Sequence, residues 1–155
     1  MRTLLALLFV TLFATYAGAQ GLAYAEGGLA GVAGFAESGS HSFHVAAGGE
    51  AVAAGRVGVG GEIGLFSRLI TVSGNATFHL APFASQRAGA FVTGGYTRFG
   101  VGDGEGAFNA WNVGAGAHLW FTDHAGLRLE FRDHIRPGSR GTRQYWSARA
   151  GVVVR

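Results

Sequence analysis

The sequence predicts an all-β fold: an eight-stranded antiparallel up-and-down β-barrel that crosses a membrane with its strands and is preceded by a cleavable signal peptide. Three observations lead there. Apolar and polar residues alternate with a period of two, as in Leu127-Arg128-Leu129-Glu130-Phe131-Arg132, which is the periodicity of a strand and not of a helix. Bulky apolar side chains share one face of each segment, while Gly and charged residues share the other. A soluble barrel needs its bulky apolar residues inside, so this polarity suits a sheet whose apolar face meets hydrocarbon and whose edges close on each other. Third, there are 28 Gly and only two Pro, Pro82 and Pro137, in 155 residues. The Gly are set among Val, Phe, Leu and Ala, unlike a disordered linker. Each disfavours a helix by about 1 kcal/mol and permits tight sheet curvature.

The elements follow in order. Residues 1–19 read as a signal peptide: Arg2 is basic, an apolar run extends from Leu4 to about Ala14, and Ala17-Gly18-Ala19 is a small-x-small cleavage pattern before Gln20. The run is short for a membrane anchor, which needs about 20 residues. Residues 20–155 form the barrel domain, with strands expected at about 22–35, 43–52, 56–66, 75–83, 88–99, 110–121, 125–135 and 144–154. Short turns are expected near 53–55, 84–87 and 122–124, and longer polar loops at 37–42, 67–74, 100–109 and 136–143. Short turns on one side and longer loops on the other suit an up-and-down membrane barrel.

Face assignments carry the class. In 56–66, Val57, Val59, Ile63 and Leu65 oppose Gly58, Gly60, Glu62 and Gly64; in 110–121, Trp111, Val113, Ala115, Ala117, Leu119 and Phe121 oppose Asn112, Gly114, Gly116 and His118. In 144–154, Trp146, Ala148, Ala150, Val152 and Val154 oppose Tyr145, Ser147, Arg149 and Gly151. Trp111 and Phe121, ten residues apart, would lie roughly 23 Å apart along the membrane normal at a tilt of about 45°. That is close to the apolar band of about 25 Å, edged by aromatic girdles, of such barrels.

Composition excludes several functions. With no Cys there is neither a disulfide nor a thiolate site. The formal charge is +3 and every basic side chain is Arg, but the arginines are spread over strands and loops and form no basic face, so no nucleic-acid partner is expected.

At this point the chain resembles the small bacterial outer-membrane β-barrels of the OmpA-like and OmpX-like type. The residues that carry the resemblance are the signal peptide, the hairpin NAWNVGAGAHLWFTDHAGLRLEFRDH (109–134) and the amphipathic final strand YWSARAGVVV (145–154). The resemblance implies an eight-stranded barrel in the outer membrane of a Gram-negative bacterium, inserted by the outer-membrane assembly machinery. It departs from the family in ending on Arg155, where an aromatic residue is usual, and in having no peptidoglycan-binding domain.

Charged residues on the non-lipid face define the candidate site. Glu50, Glu62, Arg98, His118, Arg128, Glu130, Arg132 and Arg149 are expected to point into the barrel and form an ion-pair network. Eight strands leave an interior wide enough only for side chains, so a plug is favoured over a narrow channel for water, ions or very small solutes. Arg136, Arg140 and Arg143 are expected in an outward-facing loop, read first as a solvated charged loop and, as the alternative, as a contact of guanidinium groups with lipopolysaccharide phosphates. Asp133-His134 and Asp123-His124 cannot act as local catalytic pairs, because strand neighbours point to opposite faces. His41-x-x-His44 lacks a third metal ligand, and GDGEG (102–106) has no following helix to cradle phosphate. The expectation is therefore a monomeric, non-enzymatic envelope protein without catalytic, cofactor or metal residues, whose partners are outer-membrane lipid and lipopolysaccharide.

Overall fold

The alternation along the chain becomes eight antiparallel strands: β1 (Gln20–Ala33), β2 (His41–Ala53), β3 (Val57–Phe66), β4 (Leu69–His79), β5 (Ala88–Phe99), β6 (Phe108–Trp120), β7 (Ala125–Gly138) and β8 (Gly141–Val154). Each pairs with its neighbours in sequence, and β8 pairs with β1, so the sheet closes. The computed structural model describes residues 20–33, 41–53, 55–81, 87–100, 106–139 and 141–155. The expected signal peptide and Arg140 lie outside the described residues.

The register sets the barrel's size. Cross-strand partners followed once around the sheet run from Gln20 through Val52, Gly58, Thr77, Thr93, Gly114, Arg132 and Ser147 to Ala30. The path returns to β1 ten residues along. A stagger of ten over eight strands gives a tilt of about 40° and a backbone radius of about 8 Å at ordinary strand spacing. Side chains fill such an interior.

Polarity is outside-in. Val59, Val113 and Leu129 are 67%, 52% and 40% exposed on the outer wall, whereas Arg128 and Glu130 are 1% and 3% exposed inside. Phe43, Tyr96 and Trp111 lie on the outer wall toward one end, and Phe78, Leu80 and Phe121 toward the other. At the first, the mouth end, β1, β3, β5 and β7 finish and β2, β4, β6 and β8 start. The terminal end carries Gln20, Val154 and the remaining strand ends.

Three expectations need correction. The residues 67–74 are not a loop: β4 begins at Leu69, directly after a turn at Ser67-Arg68, and Ile70 and Val72 face outward. Thr71, Ser73 and Asn75 are polar because they face the lumen; inside a membrane barrel, polarity marks the inner face as readily as a loop. Likewise 136–143 is mostly strand, with Arg136 opposite Arg143 and Gly138 opposite Gly141. Residues 67–74 and 136–143 are therefore not long loops, and the turn expected at 84–87 and the loops expected at 37–42 and 100–109 lie largely outside the described residues. Finally, bulky apolar residues are not confined to the outer wall. Phe66, Phe91, Phe99, Phe108, Trp120 and Tyr145 are buried inside, where they close the two ends around a polar middle.

Candidate functional site

Strand alternation places Arg128, Glu130 and Arg132 of β7 side by side on the inner wall, and Arg149 of β8 beside them. Room comes from Gly on neighbouring strands: Gly116 opposite Glu130, Gly114 opposite Arg132, Gly151 opposite Arg128 and Gly28 opposite Arg149. A Cβ on Gly116 would already stand 2.4 Å from the Phe91 ring, so the mixed Gly-and-charge face of the sequence is a volume-matching device.

The charge layer holds three guanidinium groups (Arg128, Arg132, Arg149) and three carboxylates (Glu26, Glu62, Glu130), all buried. Glu130 is its hub. Arg128 Nη2 donates to Glu130 Oε2 at 2.6 Å, Arg132 donates from Nε to Glu130 Oε1, and Arg149 Nη2 lies 3.2 Å from the same Oε1. Glu62 bridges the other wall: Arg149 donates to its two oxygens at 2.9 and 3.1 Å, Arg132 Nη1 to Oε1 at 3.1 Å, and the Tyr24 hydroxyl to Oε2 at 3.1 Å. Arg128 is also sandwiched, with its guanidinium 4.3 Å from the Tyr24 ring centre and 4.1 Å from that of Phe91. Cation–π contacts of this kind add to the ion pairs where water is excluded. A charge buried alone would cost several kcal/mol; here each has an opposite partner and the layer is neutral by count.

Around the layer the walls differ. β4 and β5 present Thr71, Ser73, Asn75, Thr77, Thr93 and Thr97, with Ser73 and Thr97 hydroxyls 2.9 Å apart and the Asn112 amide donating to Thr97 Oγ1 at 3.0 Å. With its amide nitrogen facing Asn112, Asn75 accepts from Arg132 Nη1 at 3.3 Å and ties this wall to the charges. The gap lined by Tyr24, Glu50, Asn75, Thr77, Thr93, Arg128 and Arg132 has no room for a water molecule.

Histidines flank the layer at both ends. Toward the terminal end, His79 Nε2 donates to Glu50 Oε1 at 2.7 Å, and Arg128 Nη1 donates to His118 Nε2 at 2.8 Å. Since Arg only donates, His118 accepts there. Toward the mouth, His134 Nδ1 donates to the Tyr145 carbonyl at 3.0 Å, and its ring lies 6.4 Å from that of His44. Phe66, Phe99, Phe108 and Tyr145 cap the mouth side, and Leu22, Tyr24, Val52, Trp120 and Val153 the terminal side.

Of the residues expected in the lumen, Glu50, Glu62, His118, Arg128, Glu130, Arg132 and Arg149 are buried there. The central layer brings together Glu62, Arg128, Glu130, Arg132 and Arg149, while Glu50 pairs with His79 nearer one end. Arg98 is misassigned. It is exposed on the outer wall and donates to Asn109 Oδ1 at 3.2 Å, because Thr97 and Phe99 take the inward positions of β5. Arg136 and Arg143 are strand residues at the mouth, with the Arg136 guanidinium 4.4 Å from the Phe108 ring centre. Sequence reasoning missed Glu26, His44 and His134, and it set His79 on the polar face of its strand without joining it to the network. The signal for Glu26 was its parity with Leu22 and Tyr24, but the rule of bulky side chains outward misreads β1, whose outward positions include Ala23, Ala25 and Gly27. His41 and His44 face opposite sides and form no pair.

The sequence matches no protein-family model and no curated protein. The fold is similar to that of the Neisserial surface protein A, with a TM-score of 0.68 and 12% identity over 88% of this chain and 98% of that one. It is also similar to the N-terminal β-barrel domain of Pseudomonas aeruginosa OprF, with a TM-score of 0.61 and 15% identity over 88% and 98% of the two chains. A de novo designed transmembrane β-barrel matches with a TM-score of 0.58 and 12% identity over 88% and 94%. The likeness is one of fold: a closed eight-stranded transmembrane barrel.

Proposed function

We propose that this chain is an integral outer-membrane β-barrel protein with a non-enzymatic role in envelope integrity or surface interaction, and that its lumen is sealed. The observation that carries this reading is the neutral charge layer held between two aromatic caps. Three guanidinium groups and three carboxylates in mutual contact leave no charge for a permeating ion to compensate, and an ion entering would have to displace bonds that are strong because bulk water is excluded. The exposed outer wall of Val, Ile, Leu and Phe fits a hydrocarbon environment.

The test has two parts. Cell fractionation followed by electrophoresis of heated and unheated samples is expected to place the protein in the outer membrane and to give a heat-dependent mobility shift. Purified protein in planar bilayers is expected to show no steady conductance. Steady conductance of the unaltered protein, abolished by Glu130→Ala or Arg149→Ala, would overturn the sealed lumen in favour of a narrow channel. One observation favours that second reading: the hydroxyl and amide wall of β4 and β5, whose side chains could line a water path if the arginines swung aside.

The mouth-end arginines support contact with lipopolysaccharide. Arg98 stands on the outer wall two residues beyond Tyr96, whose ring meets Trp111 at 5.0 Å, so its guanidinium sits at the phosphate level just above an aromatic girdle. Arg136 and Arg143 add positive charge at the same end. Replacing Arg98, Arg136, Arg140 and Arg143 with Gln is expected to reduce co-purified lipopolysaccharide severalfold; an unchanged amount would remove this contact.

A further inference from the structure

Among the described residues, six polar atoms on three adjacent strands have no hydrogen-bond partner: both carboxylate oxygens of Glu26, both ring nitrogens of His44, Ser147 Oγ and Arg149 Nε. All four side chains are at least nine-tenths buried. Buried polar atoms are nearly always paired, so a cluster of unpaired ones points to a missing partner. The register gathers them around one patch of inner wall. His44 and Arg149 are the two cross-strand partners of Gly28. Ser147 is opposite Ala30, and Glu26 is opposite Ala46. The patch floor, Gly28, Ala30 and Ala46, therefore carries nothing larger than a methyl group, and each of the four polar residues is the cross-strand partner of one of its members, with His44 Nε2 on the side of Gly64 and Thr71. The Glu26 carboxylate stands 3.3 Å from Arg128 Nε and 3.4 Å from Arg149 Nη2. Those distances give attraction, yet both oxygens keep lone pairs for another donor.

We infer that this patch is a binding site for structural water, about two or three molecules, which join Glu26, His44, Ser147 and Arg149. The donor set selects the ligand. A carboxylate only accepts, Arg Nε only donates, and Ser and neutral His do both, so the occupant must donate and accept at once. A cation cannot accept from Arg149 Nε and would meet three guanidinium groups. An anion cannot approach Glu26. Neither is needed, because the layer is balanced already. Water meets every requirement. The mouth-side half of the lumen is then hydrated at one wall, whereas the terminal side, where His79 pairs with Glu50 and His118 with Arg128, is satisfied by protein alone. The inference does not depend on whether the lumen conducts.

The test uses the full chain refolded in lipid nanodiscs, with nuclear Overhauser transfer from water to the guanidinium Nε–H protons. Arg149 Nε–H is expected to give a cross-peak of the sign of a long-lived bound water. Arg128 Nε–H, which donates to Glu130 Oε2 at 3.2 Å, is expected to give none. Ala46→Leu, which fills the patch, is expected to abolish the Arg149 signal while the heat-dependent mobility shift is retained; should that variant not fold, Ala46→Val serves the same purpose. An atomic-resolution crystal structure is the independent measurement, with density expected at hydrogen-bond distance from at least two of the four side chains. A silent Arg149 Nε–H, density of an ion in the patch, or His44 bonded directly to Glu26 or Ser147 would each overturn the inference.

Discussion

Glu130 touches every cation of the layer, through hydrogen bonds from Arg128 and Arg132 and a 3.2 Å contact with Arg149. Removing it leaves three guanidinium groups facing two carboxylates. Glu130→Ala is therefore expected to lower stability by about 3–5 kcal/mol, the usual cost of breaking a buried pair from one side, read as the urea midpoint of unfolding from lipid vesicles. Arg98→Ala, on the outer wall, is expected to change it by no more than about 0.5 kcal/mol. If the two variants behaved alike, the layer would not be an energetic unit. The β7 members of the site were legible in the sequence because a strict alternation of Leu, Arg, Leu, Glu, Phe and Arg names both faces at once. Arg98 was not, since Thr97 and Phe99 give no polar-to-apolar contrast to fix its side. Glu26 was hidden for a similar reason: β1 has Ala23, Ala25 and Gly27 on its outer face, so bulk no longer identifies the outside there, whereas on β2 the outward Phe43 and Val45 on either side of His44 do mark its side.

Among the elements, the β3–β4 hairpin is the one that sequence reasoning misread most. Its turn is two residues, and Ser67 adopts φ 59°, a left-handed conformation that costs a non-Gly residue roughly 1–2 kcal/mol. Ser67→Gly is expected to recover about 1 kcal/mol of that, measured by the same unfolding midpoint; no gain would mean that the Ser side chain offsets the strain. Strand existence was legible wherever large apolar residues alternate with Gly, as in β3 and β6. Strand ends were not, at β4 and at the β7–β8 hairpin, because Thr, Ser, Asn and Arg serve both as loop residues and as lumen lining. On the lipid face, Leu129→Arg is expected to cost about 2–4 kcal/mol if that position lies near the bilayer midplane, and its effect on folding into vesicles checks the outward assignment directly.

At the scale of the molecule, closure and tilt follow from the register. With strands inclined by about 40°, the ten residues between Trp111 and Phe121 span roughly 25 Å along the normal, the height of a typical apolar band. Unfolding from bilayers of graded thickness is expected to be hardest where the hydrocarbon is about 25 Å deep and to become easier in thicker ones; an optimum well above that would mean that the girdles are wrongly placed. The distribution of charge among strands has a further consequence, for assembly. β7 and β8 bring three guanidinium groups and one carboxylate to the layer, whereas β1 and β3 supply Glu26 and Glu62. The last hairpin thus brings an excess of two positive charges to the layer, which Glu26 and Glu62 of the earlier strands cancel. A half-formed sheet would turn that excess toward acyl chains, so joining the first strand to the last works as a latch. The step that completes the ring is also the one that neutralises its contents, and arrested open intermediates are disfavoured during insertion.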